Sequence, residues 1–508
     1  MEAGKGLGRP AVAISGEVER LDGRTLSYDE FVERYLMPNR PVVLTGLMDD
    51  WRAAADWLSP DGRGPNLHFF ADHFGKSVVQ VADCSTKEFT DQKRQEMTVA
   101  EFISYWLKLS LEKGRSVLCN DESKPLLYLK DWHFNKEYPD YVAYTTPPFF
   151  TDDWLNLYLD SHLIHRDSDI HRDKNEANCA DYRFVYMGPK GTWTPLHADV
   201  FRSYSWSGNV CGRKHWFFLP PSQCQLVFDR YLRSSVYSIY DDVSEKKFPG
   251  FRKTIWLECI QEQNEIVFVP SGWYHQVHNL EDTISINHNW FNAYNLSWVW
   301  NLLLRDYNVA KEYIEDIRDI CDNFEGLCQR NLAANTGMNF YDFMIFITRY
   351  TLGNIVQLFH LKHVEGSLNS SVTRSNLFIA NLISVRSVAT KMKFAEAFTE
   401  ENINSCSEEN LNAFSDIQKI MHEREFQDLS SALRMTYECI NTKLKEGSLT
   451  EITRDSETDS AFFDFITSLG SKIHGPGDLV GLIDRVLEKT NCSNCNINIP
   501  CDAEPFVV

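Results

Sequence analysis

No apolar run in this chain of 508 residues approaches the roughly 18 residues of a membrane-spanning helix. The densest, FMIFI at 343 to 347, reads as a core segment. The opening MEAGKGLGRPAVAISGEVER holds no continuous apolar stretch, so no secretory leader is expected, and the expected location is cytoplasmic. Positive charge is in short supply: 51 Lys and Arg stand against 71 Asp and Glu, a net charge of −20. Such a body does not attract polyanions, which counts against direct nucleic-acid binding and favours a basic protein partner. Paired cysteines are lacking too. The 13 cysteines are mostly scattered singly, as reduced thiols are and a disulfide framework is not. Cys492, Cys495 and Cys501 do gather in CSNCNINIPC, but no histidine follows to complete a zinc set. HRDKN at 171 to 175 touches a kinase catalytic-loop pattern, without the Gly-rich loop or Asp-Phe-Gly element that would accompany it. No internal repeat is visible.

What is present falls into three textures. Phe31, Val32 and Tyr35 recur at helical spacing behind Ser27 as N-cap. Pro38 and Asn39 end that helix, and PVVLTG follows as a short buried strand closed by Gly46. A second helix–strand unit of unrelated sequence follows in FFADHFGKSVVQVADC, and TVAEFISYWLKL is an amphipathic helix with Thr98 as cap. From about 125 to 292 come short β-runs: RFVYMG, TWTPLHADVF, KHWFFLPP, EIVFVPSGW and TISINHNW. Their spacing suits an all-β barrel or sandwich. Beyond 293 the chain turns helical, with stripes Ile314, Ile317, Cys321, Phe324 and Leu411, Phe414, Ile417, Met421. The expected organisation is a flexible 1–25, α/β elements at 26–130 packing on a β core at 131–300, and helices at 301–508 with a linker at 365–376 and a flexible tail. The charged stretch 161–181 reads as a loop or insertion within the β core.

One short stretch, TPLHADVF at 194 to 201, carries the chemistry. On a strand, residues two apart share a face, so His197 and Asp199 converge. Two histidines and a carboxylate with open positions are the ligand set of non-haem iron(II) oxygenases. The second histidine must come from another strand, and EIVFVPSGWYHQVHNLEDTISINHNW supplies His275, with His278 as runner-up at an odd offset. Two further pairs, His165 with Asp167 and His171 with Asp173, lack alternating apolar residues and are set aside. Lys214 lies 17 residues after His197 in GRKHWFFLPP; its ammonium suits the far carboxylate of a keto-acid co-substrate. Arg213 is one residue out of phase.

FVERYLMPNRPVVLTGLMDDW, YRFVYMGPKGTWTPLHADVFRSYSWSGNVCGRKHWFFLPP and IVFVPSGWYHQVHNLEDTISINHNWFN together resemble the JmjC family of iron(II)- and 2-oxoglutarate-dependent oxygenases, over roughly residues 27 to 300. The resemblance implies a double-stranded β-helix, or cupin jelly-roll, with helices around it. It makes His197, Asp199 and His275 the iron ligands and Lys214 the partner of the 2-oxoglutarate C5 carboxylate. It adds Tyr128 at the same carboxylate, and Thr194, Asn287 and Ser207 as polar neighbours of the co-substrate. Trp193, Trp206, Trp273 and Tyr274 are candidates for walling the site. The implied activity, with O2 as second co-substrate, is protein hydroxylation at a lysyl side-chain carbon. The eukaryotic translation termination factor is the implied substrate. N-methyl-lysine demethylation by the same chemistry is the alternative, and a metal-stabilised non-catalytic scaffold a third. A homodimer through the C-terminal helices stays open.

Overall fold

The computed structural model describes residues 10, 12–62, 64–115, 125–162, 181–363, 369–405, 416–442, 465–466 and 472–489. Two compact units emerge, one from residues 1–147 and 182–289, the other from 148–181 and 290–507.

The first unit is built on two β-sheets. In chain order its strands are β1 (Ala13–Glu17), β2 (Arg20–Asp22), β3 (Val42–Thr45), β4 (Val78–Glu88), β5 (Asp91–Thr98), β6 (Leu127–Trp132) and β7 (Arg183–Gly188). There follow β8 (Trp193–His197), β9 (Tyr204–Cys211), β10 (Lys214–Leu219), β11 (Ile255–Gln261), β12 (Glu265–Val269), β13 (Tyr274–Asn279) and β14 (Thr283–Trp290). A five-stranded sheet runs β1-β11-β10-β13-β8, and a nine-stranded sheet runs β2-β3-β12-β9-β14-β7-β6-β4-β5. From β8 to β14 the chain passes back and forth between the two sheets, with only β10 and β11 adjacent in the same sheet, the winding of a double-stranded jelly-roll.

Local chemistry sets the ends of these elements. Ser27 accepts the Glu30 N–H at 3.1 Å and starts the first helix. Thr98 and Glu101 cap one another reciprocally, Thr98 Oγ1 accepting the Glu101 N–H and the Glu101 carboxylate accepting the Thr98 N–H. That opens the helix Val99–Arg115. Between β9 and β10 the chain turns at Gly212, with φ +75 and a carbonyl of Asp282 standing 2.2 Å from where a Cβ would sit. Only glycine fits there, and the turn delivers Lys214 as the first residue of β10.

The five-stranded sheet has a core on each face. Outward, Leu196, Phe217, Leu219, Trp256 and Tyr274 pack against Val227, Val236, Ile239 and Phe251 from the long excursion between β10 and β11. Inward, Trp216, Phe218, Cys259 and Val277 pack with Val43, Val267 and Val269 of the other sheet. Alternation along each strand keeps the two sets apart.

The second unit is helical, with long helices at Leu296–Tyr313, Phe340–His363, Asn369–Met392 and Arg424–Thr442. FMIFI lies wholly buried in the second of these. Among the described residues no helix is long and apolar enough to cross a membrane.

Several expectations change. Residues 13–17 and 20–22 are strands, not a flexible lead, because each pairs in parallel with a sheet strand, β1 on β11 and β2 on β3. Residues 369–376 are helical instead of linker; 364–368 lie outside the described residues. The stripe from Ile314 to Phe324 is no single helix: a 3-10 turn at Glu315–Ile320 breaks it, and Ile320 is exposed. Strands β4 to β6 belong to the same sheet as β7 and β14. The helix Trp154–Ser161 groups with the C-terminal helices. The charged residues 163–180, Leu411, Phe414, the three clustered cysteines and the tail lie outside the described residues.

Candidate metal and co-substrate site

His197, Asp199 and His275 come together, with one potential ligand atom from each lying within 4.8 Å of the others. His275 on β13 stands directly opposite His197 on β8, ring centroids 4.2 Å apart. Each imidazole Nδ1 lies against a carbonyl two residues earlier, His197 on Pro195 O at 2.8 Å and His275 on Trp273 O at 3.1 Å. A carbonyl only accepts, so each Nδ1 carries its proton and each Nε2 keeps a free lone pair, the form that binds a metal. Burial and the neighbouring His275 hold the pKa of His197 well down, which favours that neutral form. Asp199 lies beyond the end of β8, in extended conformation at φ −59 and ψ 154. Its Oδ2 accepts from Ser205 Oγ at 2.6 Å, which leaves Oδ1 for a metal. Two and three residues on, Phe201 and Arg202 have φ of 54 and 51, so the turn behind the carboxylate stores strain of the kind found at sites.

Deeper in the same interior, Lys214 is 2% exposed. Its Nζ donates to Ser285 Oγ at 2.7 Å and to Tyr128 Oη at 3.4 Å, both neutral. No carboxylate pairs with it among the described residues. Burial, with Lys130 nearby, pulls its pKa down to about 7. A buried ammonium with hydroxyls and no counter-ion is a cradle for an incoming carboxylate. Arg213, one residue earlier, points to solvent and pairs with Glu281 at 2.9 Å.

The comparisons with known proteins fit this geometry. A family model described as a cupin-like domain matches residues 28–295. A protein of Arabidopsis thaliana named "Arginine-specific demethylase JMJ20" is 59% identical over 394 residues, covering 77% of this chain and 83% of that one. Proteins named "2-oxoglutarate and iron-dependent oxygenase JMJD4" are similar as well. That of Danio rerio is 41% identical over 64% of this chain and 72% of its own, and that of Homo sapiens 38% over 63% and 72%. The chain belongs to the cupin-like JmjC family. It is an iron- and 2-oxoglutarate-dependent oxygenase, and the scaffold alternative falls away.

In this JmjC oxygenase the residues nominated from sequence are distributed unevenly. Thr194 lies three before His197, an offset that on a regular strand would put it on the other face. Instead β8 carries one extra residue: His197 pairs with His275, but Thr194 pairs with Val277. Leu196 leaves the ladder to bond Tyr237 O, and Pro195 has no N–H to offer. The bulge therefore returns Thr194 to the inward face. Asn287 donates to Ser285 Oγ at 3.2 Å and so joins the Lys214 cluster. Ser207 is buried on β9, its hydroxyl unpartnered among the described residues. His278 faces outward, stacked parallel on Trp193 and bonded to Gln276, and is separated from the triad by the sheet.

The four aromatics do not wall the site. Trp193 and Tyr274 are on the outward face, Tyr274 holding Arg202. Trp206 packs on Trp51 and His288. Trp273 is inward but serves the apolar cluster, its indole N–H donating to Asn39 O. Trp216 and Phe218 stand beside His275 in their place. Three polar residues escaped the sequence reading: Ser205, Ser285 and Lys130. The signal existed for the last two, since alternation aligns Ser285 with Asn287 and Lys130 with Tyr128.

Proposed function

We propose that the chain hydroxylates an unactivated side-chain carbon of a protein, a lysyl residue of the translation termination factor being the substrate. The observation that carries this reading is the pairing of the triad, its Nε2 and Oδ1 atoms free, with the buried Lys214 cradle. When bound, iron and 2-oxoglutarate supply the oxidising power to insert one atom of O2 into a C–H bond. The protein's own groups bind and orient. Pro195 and Trp273 carbonyls fix the imidazoles, Ser205 holds the carboxylate, and Lys214, Ser285 and Tyr128 anchor the co-substrate's far end. The apolar wall of Trp216, Phe218 and Val277 keeps water out. A net charge of −20 favours a basic target, and the JMJD4-named relatives support a 2-oxoglutarate- and iron-dependent oxygenase. A cytoplasmic location belongs to the same reading, since the termination factor works there.

A second reading has its own support, the name of the Arabidopsis thaliana relative: removal of a methyl group from an arginine side chain. The two share a first step. Hydroxylation of a carbon bonded to nitrogen releases the carbon as formaldehyde; hydroxylation of a carbon bonded only to carbon leaves the oxygen in place. Incubating the protein, and its Asp199→Ala variant, with cell extract and with methylated arginyl peptides separates them by mass spectrometry. Peptides that gain one oxygen support hydroxylation, peptides that lose one methylene support demethylation, and no iron-dependent change in either sinks both.

A further inference from the structure

Lys130 is a buried cation that the reading so far leaves unused. It sits on β6 two residues after Tyr128, hence on the same inward face, and is 3% exposed. Its ammonium has three N–H donors, and one of them reaches Gln92 Oε1 at 2.8 Å. The Nζ lies 5.3 Å from the centroid of the Tyr128 ring, whose hydroxyl reaches Lys214. No carboxylate forms an ion pair with it among the described residues. The nearby Asp131 is taken by Arg94 and Tyr186 at 2.5 Å each. Burial lowers its pKa, and its charge in turn lowers that of Lys214. Two like charges in one dry pocket oppose folding unless something negative joins them. Arg or Lys placed for structure alone would normally have a carboxylate; this one faces the interior where a dicarboxylate binds.

We propose that Lys130 is a second cation of the co-substrate pocket, acting with Lys214 to select a dianionic keto acid over a monoanionic one. The proposal rests on the family's co-substrate and not on which protein side chain is modified. Gln92 is the positioning partner: its Oε1 holds the Lys130 ammonium, and its Nε2 donates to Trp193 O at 3.0 Å. The pair thus ties the cation to the strand that carries Thr194 and His197.

The test is equilibrium binding, with no turnover, to protein loaded with manganese(II) in place of iron. The probes are 2-oxoglutarate and 2-oxobutyrate, which lacks the second carboxylate. Lys130→Gln keeps polarity, one atom shorter, and removes the charge; Lys130→Met removes charge and polarity. For both variants 2-oxoglutarate binding should weaken by about tenfold or more, the effect of losing one charge-assisted contact. Binding of 2-oxobutyrate should weaken distinctly less. An unchanged 2-oxoglutarate affinity in Lys130→Gln would overturn the proposal. So would equal weakening of both acids, the mark of a displaced β8. Should Lys130→Met fail to fold, Lys130→Gln decides alone. A wild-type protein that binds neither acid would overturn the co-substrate assignment and this proposal with it.

Discussion

The two faces of the five-stranded sheet hold nearly the same kinds of residue and do different things. Inward stand His197, His275, Lys214 and Trp216; outward, on the same strands, stand His278, Arg213, His215, Trp193 and Tyr274. Each face has histidines, a cation and aromatics. The outward groups are mostly engaged: His278 by Gln276 and Trp193, with its Nδ1 buried and unpartnered among the described residues, His215 by Glu258 at 2.8 Å, and Arg213 by Glu281. The inward groups are fixed at one end and open at the other. An imidazole held at Nδ1 with Nε2 free, and an ammonium with hydroxyls but no anion, are arranged to receive something. Chemistry here follows from unfinished coordination, not from residue type.

That contrast can be broken most sharply at the candidate metal ligands. Asp199→Ala or His197→Ala should cut turnover by more than about 100-fold, beyond the cost of losing an outer partner of a metal ligand. The thermal midpoint should barely move, because neither side chain fills the core. Near-normal turnover at saturating iron in either variant would undo the site. Next comes the cation pair. Lys214→Ala should raise the 2-oxoglutarate requirement by thirtyfold to several thousandfold, from about 2 to 5 kcal/mol of lost contact. Arg213→Ala should leave it unchanged, so a titration of both variants that shows the opposite order would reverse the assignment of faces.

Ser205→Ala tests whether the carboxylate needs its holder. Metal affinity should fall by about 10- to 100-fold, read by manganese(II) titration, and Ser205→Thr should restore much of it. Equal affinities in all three proteins would reduce Ser205 to a packing residue. The smallest effect belongs to the outward face. Burial pushes the His278 pKa down to about 3, with His215 adding to it. A depressed histidine stabilises the fold fully above its ordinary value near 6.5 and progressively less as pH falls towards 3. Between pH 7 and pH 5 the wild type should therefore lose about 1 to 2 kcal/mol from this group. His278→Gln starts lower but should show a flatter pH profile by thermal melting; parallel profiles would say that His278 does not titrate with unfolding.

Much of the site was legible because strand alternation is local. The odd offset of His278 and the phase of Arg213 against Lys214 follow from a period of two, which needs no knowledge of the partner strand. The same rule points to Asp199, but that residue lies past the end of β8 and the turn there brings it to His197. The capping residues Ser27 and Thr98 were legible for the same reason, since each bonds a neighbour three residues away. Thr194 was placed by family resemblance against its own offset. The bulge that reconciles the two is a property of the β8–β13 pairing. The aromatics went wrong for a related cause: a tryptophan's type does not say which face it takes.

By itself, then, the sequence determined the β character of the middle, the metal-ligand grammar, the phase of the cations and the acidic surface. These depend on periods and composition carried within a few residues. Only the tertiary structure decided that residues 13–22 pair into the sheets and that one strand slips by a residue. It alone decided that Ser205 meets the Asp199 carboxylate and that Lys214 meets Ser285 and Tyr128, 71 and 86 residues away in the chain. Which polar atoms end up satisfied and which are left open depends on contacts between distant strands, and no local pattern encodes those.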